Sequence, residues 1–135
     1  RKELDHHGVT VHLQKKGPIP QISSNRVALQ QVVLNLVLNA QHAIRESSAS
    51  IREIQICLAQ SRAGATIEVR DTGPGIAEDV RQQMFTPFVT TKQNGLGLGL
   101  VICRRIVEAQ GGQLTAQNLK GGGASFQIWL PTGES

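Results

Sequence analysis

The sequence predicts a two-layer α+β domain, with strands grouped into hairpins and helices covering one face of the sheet. Three observations carry that expectation. Arg26 to about Glu46 and Leu98 to Ala109 repeat apolar residues at helical spacing. The remaining apolar residues alternate with polar ones in short segments, most of them paired across a turn. Glycine clusters at 73–75, 95–99, 111–112 and 121–123 separate these segments.

Val9, Val11 and Leu13 alternate with Thr10, His12 and Gln14, the period of a half-buried strand. Gly17-Pro18-Ile19-Pro20 breaks it, and Gln21-Ile22 reads as a short resumption. Ser23-Ser24-Asn25 offer side-chain acceptors for a helix N-cap. The helix that follows places Leu29, Val33, Leu36, Ala40 and Ala43 along one stripe. Ser47 to Ser50 reads as a loop of small residues. Ile54, Ile56 and Leu58, then Ala65, Ile67 and Val69 beyond a turn at Gly64, predict an antiparallel hairpin. Asp71-Thr72-Gly73-Pro74-Gly75 is a loop, Ala77 to about Met84 a short helix, and Thr86 to Asn94 an irregular loop holding Pro87. The second strong helix, Leu98 to Ala109, is closed by Gly111-Gly112. Strands around Gln113–Asn118 and Ser125–Leu130, separated by Gly121-Gly122-Gly123, complete the layout.

A chain of 135 residues fits one domain. Its 39% hydrophobic and 18% charged content suits a soluble globular protein and excludes wholesale disorder. No apolar run approaches the ~18 residues of a membrane span, so no direct membrane contact is expected. Cys57 and Cys103 are too few for a disulfide framework and lack zinc-ligand spacing, which points to a reducing, cytoplasmic setting. The chain starts at Arg1 and its sole methionine is Met84, so it reads as a piece of a longer protein. The net charge of +4 does not make a nucleic-acid footprint, because the basic residues are scattered. Aromatics for base stacking are missing too: Phe85, Phe88, Phe126 and Trp129 are all there are.

Three segments carry chemistry. Gln31, Asn35, Asn39 and His42 share one face of the long helix. Carboxamides there can turn oxygens toward a hard cation and amides toward phosphates, or simply form the solvated side of an amphipathic helix. In Val69-Arg70-Asp71-Thr72-Gly73-Pro74-Gly75-Ile76 a carboxylate at a strand end can accept from an exocyclic amine such as adenine's, while glycines admit a flat ligand. The same residue types also make an ordinary turn. Gly95-Leu96-Gly97-Leu98-Gly99-Leu100, directly before a helix, suits phosphate binding or plain flexibility. It is neither a G-x-G-x-x-G fingerprint nor a Gly-Lys-Ser/Thr phosphate loop.

Together, in this order and spacing, the segments resemble the catalytic, ATP-binding domain of sensor histidine kinases. Asn35-Leu36-Val37-Leu38-Asn39-Ala40-Gln41-His42-Ala43 is similar to that family's N box. Asp71-Thr72-Gly73-Pro74-Gly75-Ile76 and Gly95-Leu96-Gly97-Leu98-Gly99-Leu100 resemble its two glycine boxes, with Met84-Phe85-Thr86-Pro87-Phe88 as the F box between them. Gly123-Ala124-Ser125-Phe126 to Leu130-Pro131 has the form of its closing strand, and the short segment with Thr90-Thr91-Lys92 is most similar to the nitrogen-, oxygen- and dicarboxylate-sensing group.

The resemblance implies a Bergerat fold, a mixed, mostly antiparallel sheet covered on one face by helices. Residues 1–8 would be a linker from a missing dimerisation and phosphoacceptor domain, and 9–135 the ATP-binding catalytic domain. Asp71 would bind the adenine amine, directly and through water, with Gly75, Ile76 and Ala43 lining the base pocket and Gly73 among the ATP-binding residues. Asn39 would ligate magnesium with support from Asn35, and Gly95, Leu96, Gly97, Leu98 and Gly99 would offer backbone to the phosphates. Lys92, in a lid from Phe85 to Asn94, and His42, where the family often has Lys, would reach phosphates. Ser125 would hold an adenine-linked water, with Ala124 the alternative alignment.

The implied reaction moves the ATP γ-phosphoryl group to a histidine nitrogen, for onward signalling to a response regulator. His6, His7, His12 and His42 all lack the acidic residue that follows the family's acceptor, so no catalytic acceptor lies in the chain. Relatives that hydrolyse ATP place a general-base glutamate one turn before the metal-binding asparagine. Asn35 stands there and cannot take a proton. The rival readings are a serine kinase of the anti-sigma-factor type and a nucleotide-binding module without turnover.

Overall fold

The computed structural model describes residues 9–18, 26–45, 52–78 and 96–131, with the side chains of 26 and 96–99 set aside. Within them the chain forms β1 (Thr10–Lys16), α1 (Arg26–Arg45), β2 (Glu53–Ser61), β3 (Gly64–Asp71), α2 (Leu96–Ala109), β4 (Gln113–Asn118) and β5 (Ala124–Pro131). The expected short strand at Gln21-Ile22, the N-cap at Ser23–Asn25, the loop at Ser47–Ser50 and the segment from 79 to 95 lie outside the described residues.

The strands form one sheet in the order β1-β2-β3-β5-β4. β1 runs parallel to β2, with Val11 beside Ile54, and the other pairs are antiparallel. A parallel neighbour needs a crossover, and α1 lies between β1 and β2 in the chain. β5 inserts between β3 and β4, so the last hairpin joins the sheet through its second strand and leaves β4 at the edge.

Strand alternation sorts the side chains onto two faces. Ala65, Ile67, Val69 and Asp71 of β3 face the same side as Ala124, Phe126, Ile128 and Leu130 of β5, and all eight are buried. Helix residues Val32, Leu36, Ala40 and Ile44 of α1 and Leu100, Cys103 and Val107 of α2 join all of them but Ala65 and Asp71 in one core. Leu36 and Ala40 of the expected stripe are thus buried as expected, while Val32 and Ile44 take the buried places on either side and Leu29, Val33 and Ala43 are half-buried. Fully burying a side chain such as Leu36 or Ile128 contributes about 1.5–3 kcal/mol, so this layer dominates stability. Leu13 keeps the strand alternation but stays 46% exposed on the edge strand β1.

One glycine expectation changes and one holds. Gly64 does not make the β2–β3 turn, which is at Arg62 and Ala63, the latter with φ of 57°. Gly64 opens β3 because a Cβ there would collide with the Leu130 carbonyl of the neighbouring strand. Gly111 and Gly112 do close α2, in a Schellman motif: Gly112 N donates to Val107 O, Gly111 N to Glu108 O, and Gly111 has φ of 82°.

Candidate functional site

Asp71 is the last residue of β3 and its side chain falls on the helix side of the sheet. It is 5% exposed, which for a carboxylate demands compensation. Its Oδ1 accepts from Gly73 N at 2.8 Å and from Ala124 N at 3.4 Å. Burial pushes its carboxyl above the ordinary value, and the two backbone amides pull against that rise. Oδ2 is left without a bond among the described residues, so the carboxylate is locked by one oxygen and available at the other.

The loop beyond Asp71 is tied at several points. Thr72 N donates to Glu53 O, and its hydroxyl accepts from Glu53 N at 3.0 Å. Gly73 is buried against α1: a Cβ there would lie 3.1 Å from Asp71 Oδ1 and 3.5 Å from the Ala43 Cβ. Ala43 and Gly73, ATP-binding positions expected from separate motifs, are therefore neighbours. Gly75 holds φ of 90°, a left-handed conformation that favours glycine, and Ile76 packs its side chain on the core. The Ile76 peptide is bonded from both sides by Asn118, a residue no sequence motif singled out.

Asn35, Asn39 and His42 are half-buried on α1, beyond the buried stripe. Asn35 Nδ2 donates to the Cys103 thiol of α2 at 3.5 Å, which ties the two helices and leaves its carboxamide oxygen as an acceptor. Burial raises the Cys103 thiol, against the pull of that bond. α2 begins at Leu96, two residues before the expected Leu98, so Gly97, Leu98 and Gly99 belong to its first turn. The N–H groups of a first turn have no partner within the helix and carry the positive end of its dipole, the setting for an anion. Lys92, Gly95 and the Phe85–Asn94 segment lie outside the described residues.

Ser125 is placed otherwise than as a pocket residue. Its hydroxyl donates to Glu68 Oε2 at 2.6 Å on the face of the sheet away from the helices. Ala124 is the residue on the pocket side, and it reaches Asp71 through its backbone. Strand alternation decides this, since adjacent residues of β5 must point oppositely. No sequence signal indicates Asn118, because its partner lies 42 residues away.

Residues 24–134 match the family described as histidine kinase-, DNA gyrase B-, and HSP90-like ATPase. The C4-dicarboxylate transport sensor protein DctS of Rhodobacter capsulatus is 39% identical over 93% of the chain, and the sensor histidine kinase ZraS of Escherichia coli O157:H7 is 43% identical over 84%. The chain spans 19% and 24% of those two proteins. Among solved structures, the nucleotide-free catalytic domain of the histidine kinase ThkA superposes with a TM-score of 0.78 at 30% identity, covering 92% of this chain and 79% of that one. The ATP binding domain of PrrB from Mycobacterium tuberculosis gives 0.71 at 28% identity, covering 93% and 82%. Among the described residues no helix is long and apolar enough to cross a membrane. The chain belongs to the histidine kinase-, DNA gyrase B- and HSP90-like ATPase family and is homologous to the catalytic domains of sensor histidine kinases.

Proposed function

We propose that the chain binds Mg-ATP and transfers its γ-phosphoryl group to a histidine on a separate dimerisation and phosphoacceptor domain, from which it passes to a response regulator. The observation that carries this reading is the Asp71 carboxylate: buried, anchored through Oδ1, and unengaged at Oδ2 among the described residues. An adenine amine is the donor that such an oxygen lacks, and a guanine carbonyl at the same place would be repelled. Ala43, Gly73, Gly75 and Ile76 would line the base, and the first-turn amides Leu96 to Gly99 would receive phosphates.

Magnesium suits the donors on α1. Asn39 would ligate it, with Asn35 supporting through the oxygen that its bond to Cys103 leaves free. No cluster of three or more His, Cys, Asp or Glu occurs among the described residues, so the negative charge around the ion would come from the nucleotide. The bound ion would neutralise phosphate charge. The chain's own contribution is then positional: Asp71 fixes the base, the helix end holds the phosphates, and His42 and Lys92 add donors to them. Asn35 takes no proton, so activation of the acceptor nitrogen falls to the acceptor domain.

Calorimetric titration with ATP, with and without magnesium, followed by incubation with an acceptor domain and γ-labelled ATP, tests the reading. Micromolar, magnesium-sensitive binding and label on histidine support it. Binding without labelling would leave a nucleotide-binding module, and no binding would remove the function altogether.

A further inference from the structure

Asn118 ends the edge strand β4, opposite Ala124 of β5. Its carboxamide brackets one residue of the Asp71–Ile76 loop: Ile76 N donates to Oδ1 at 2.7 Å, and Nδ2 donates to Ile76 O at 2.9 Å. That two-bond exchange is what an antiparallel strand partner provides, here supplied by a side chain. Asn is among the few side chains carrying an acceptor and a donor at the right separation. The loop is shaped to receive it. A Cβ on Gly75 would lie 3.0 Å from Asn118 Oδ1, so a glycine at that position lets the amide close on the peptide. Behind it, Leu119 N bonds Gly123 O, and Gly123 packs so tightly on Asp71 that a Cβ would strike the Asp71 carbonyl. The hairpin end and the loop therefore form one unit: Asp71 Oδ1 holds the near half through Gly73, and Asn118 holds the far half through Ile76.

We propose that Asn118 is a positioning residue of the nucleotide site, clasping the Ile76 peptide so that Gly75 and Ile76 form a fixed wall for the base. The inference rests on the nucleotide reading above and goes one step further, by making base affinity depend on a side chain that need not touch ATP. Without the clasp, the loop must be ordered at the moment of binding, and that ordering subtracts from affinity.

The test measures Kd for Mg-ATP and for magnesium tripolyphosphate, which lacks a base, on the 135-residue chain and three variants. Asn118→Ala is expected to weaken ATP about tenfold, a factor equal to about 1.4 kcal/mol, and to leave tripolyphosphate unchanged. Asn118→Asp keeps the acceptor for Ile76 N but sets a carboxylate oxygen against Ile76 O, so it should weaken ATP at neutral pH while preserving side-chain volume if the alanine variant does not fold. Gln117→Ala, an exposed neighbour whose side chain points to the other sheet face, should bind ATP as the parent does. Equal ATP affinity in the parent and both Asn118 variants would overturn the proposal while the nucleotide reading stands. An equal loss for ATP and tripolyphosphate would overturn it too, since that marks general loosening. Failure of the parent to bind ATP would remove the nucleotide reading and this proposal together.

Discussion

Replacing Asp71 with Asn separates its structural from its recognition role. The Asn oxygen can take the place of Oδ1 and keep the bonds from Gly73 N at 2.8 Å and Ala124 N at 3.4 Å, while Nδ2 occupies the position of Oδ2. An acceptor facing the ligand becomes a donor. A hydrogen bond to a charged group contributes about 1.5–3 kcal/mol, so losing it predicts ATP affinity ~10-fold to ~100-fold weaker. GTP affinity should move the other way, because guanine presents a carbonyl where adenine presents an amine. The fold should not suffer. Burial raises the Asp71 carboxyl, so the folded state holds its proton to a higher pH than the unfolded chain does. Its ionisation therefore costs stability, a cost that grows as pH rises from the unfolded value of 3.8 through the raised folded value and stays constant above it. The neutral Asn removes that cost, so at neutral pH Asp71→Asn should melt at or above the parent temperature. Calorimetric titration with ATP and GTP and a thermal melt on the same samples read all three quantities. Unchanged ATP affinity in a folded variant would take Asp71 out of the base pocket.

Other consequences are checked with the same instruments. ATP binding by the unaltered chain should weaken as pH falls through the raised Asp71 value, since the protonated acid loses its charge, and Asp71→Asn should flatten that part of the profile. Asn39→Ala should abolish the gain in ATP affinity on adding magnesium; an undiminished gain would contradict its role as ligand. Ser125→Ala should cost about 1 kcal/mol of stability through the lost bond to Glu68 and leave ATP affinity unchanged, because the hydroxyl lies across the sheet from Asp71. Gly123→Ala should destabilise by at least ~1–3 kcal/mol, since it combines a left-handed φ of 93° with a clash against the Asp71 carbonyl, and a denaturant melt near the parent midpoint would refute that geometry.

The elements were legible because each rests on a local rule. Helical spacing fixed α1 and α2, alternation fixed the hairpins β2–β3 and β4–β5, and Gly111-Gly112 announced the end of α2. The candidate site was legible as three separate stretches, because Asp, Asn and Gly at strand ends and helix starts have few chemical uses together. Local pattern thus supplied the inventory of elements, the family resemblance and the residue types suited to a nucleotide. How they meet was settled by packing between distant segments. It set β5 beside β3, and so put the Ala124 amide on Asp71 and sent Ser125 to the far face. It moved the start of α2 back to Leu96, tied Asn35 to Cys103 across the helix layer, and brought Asn118 onto Ile76. These contacts join residues tens of positions apart, and no local periodicity encodes a register between strands that are not neighbours in the chain.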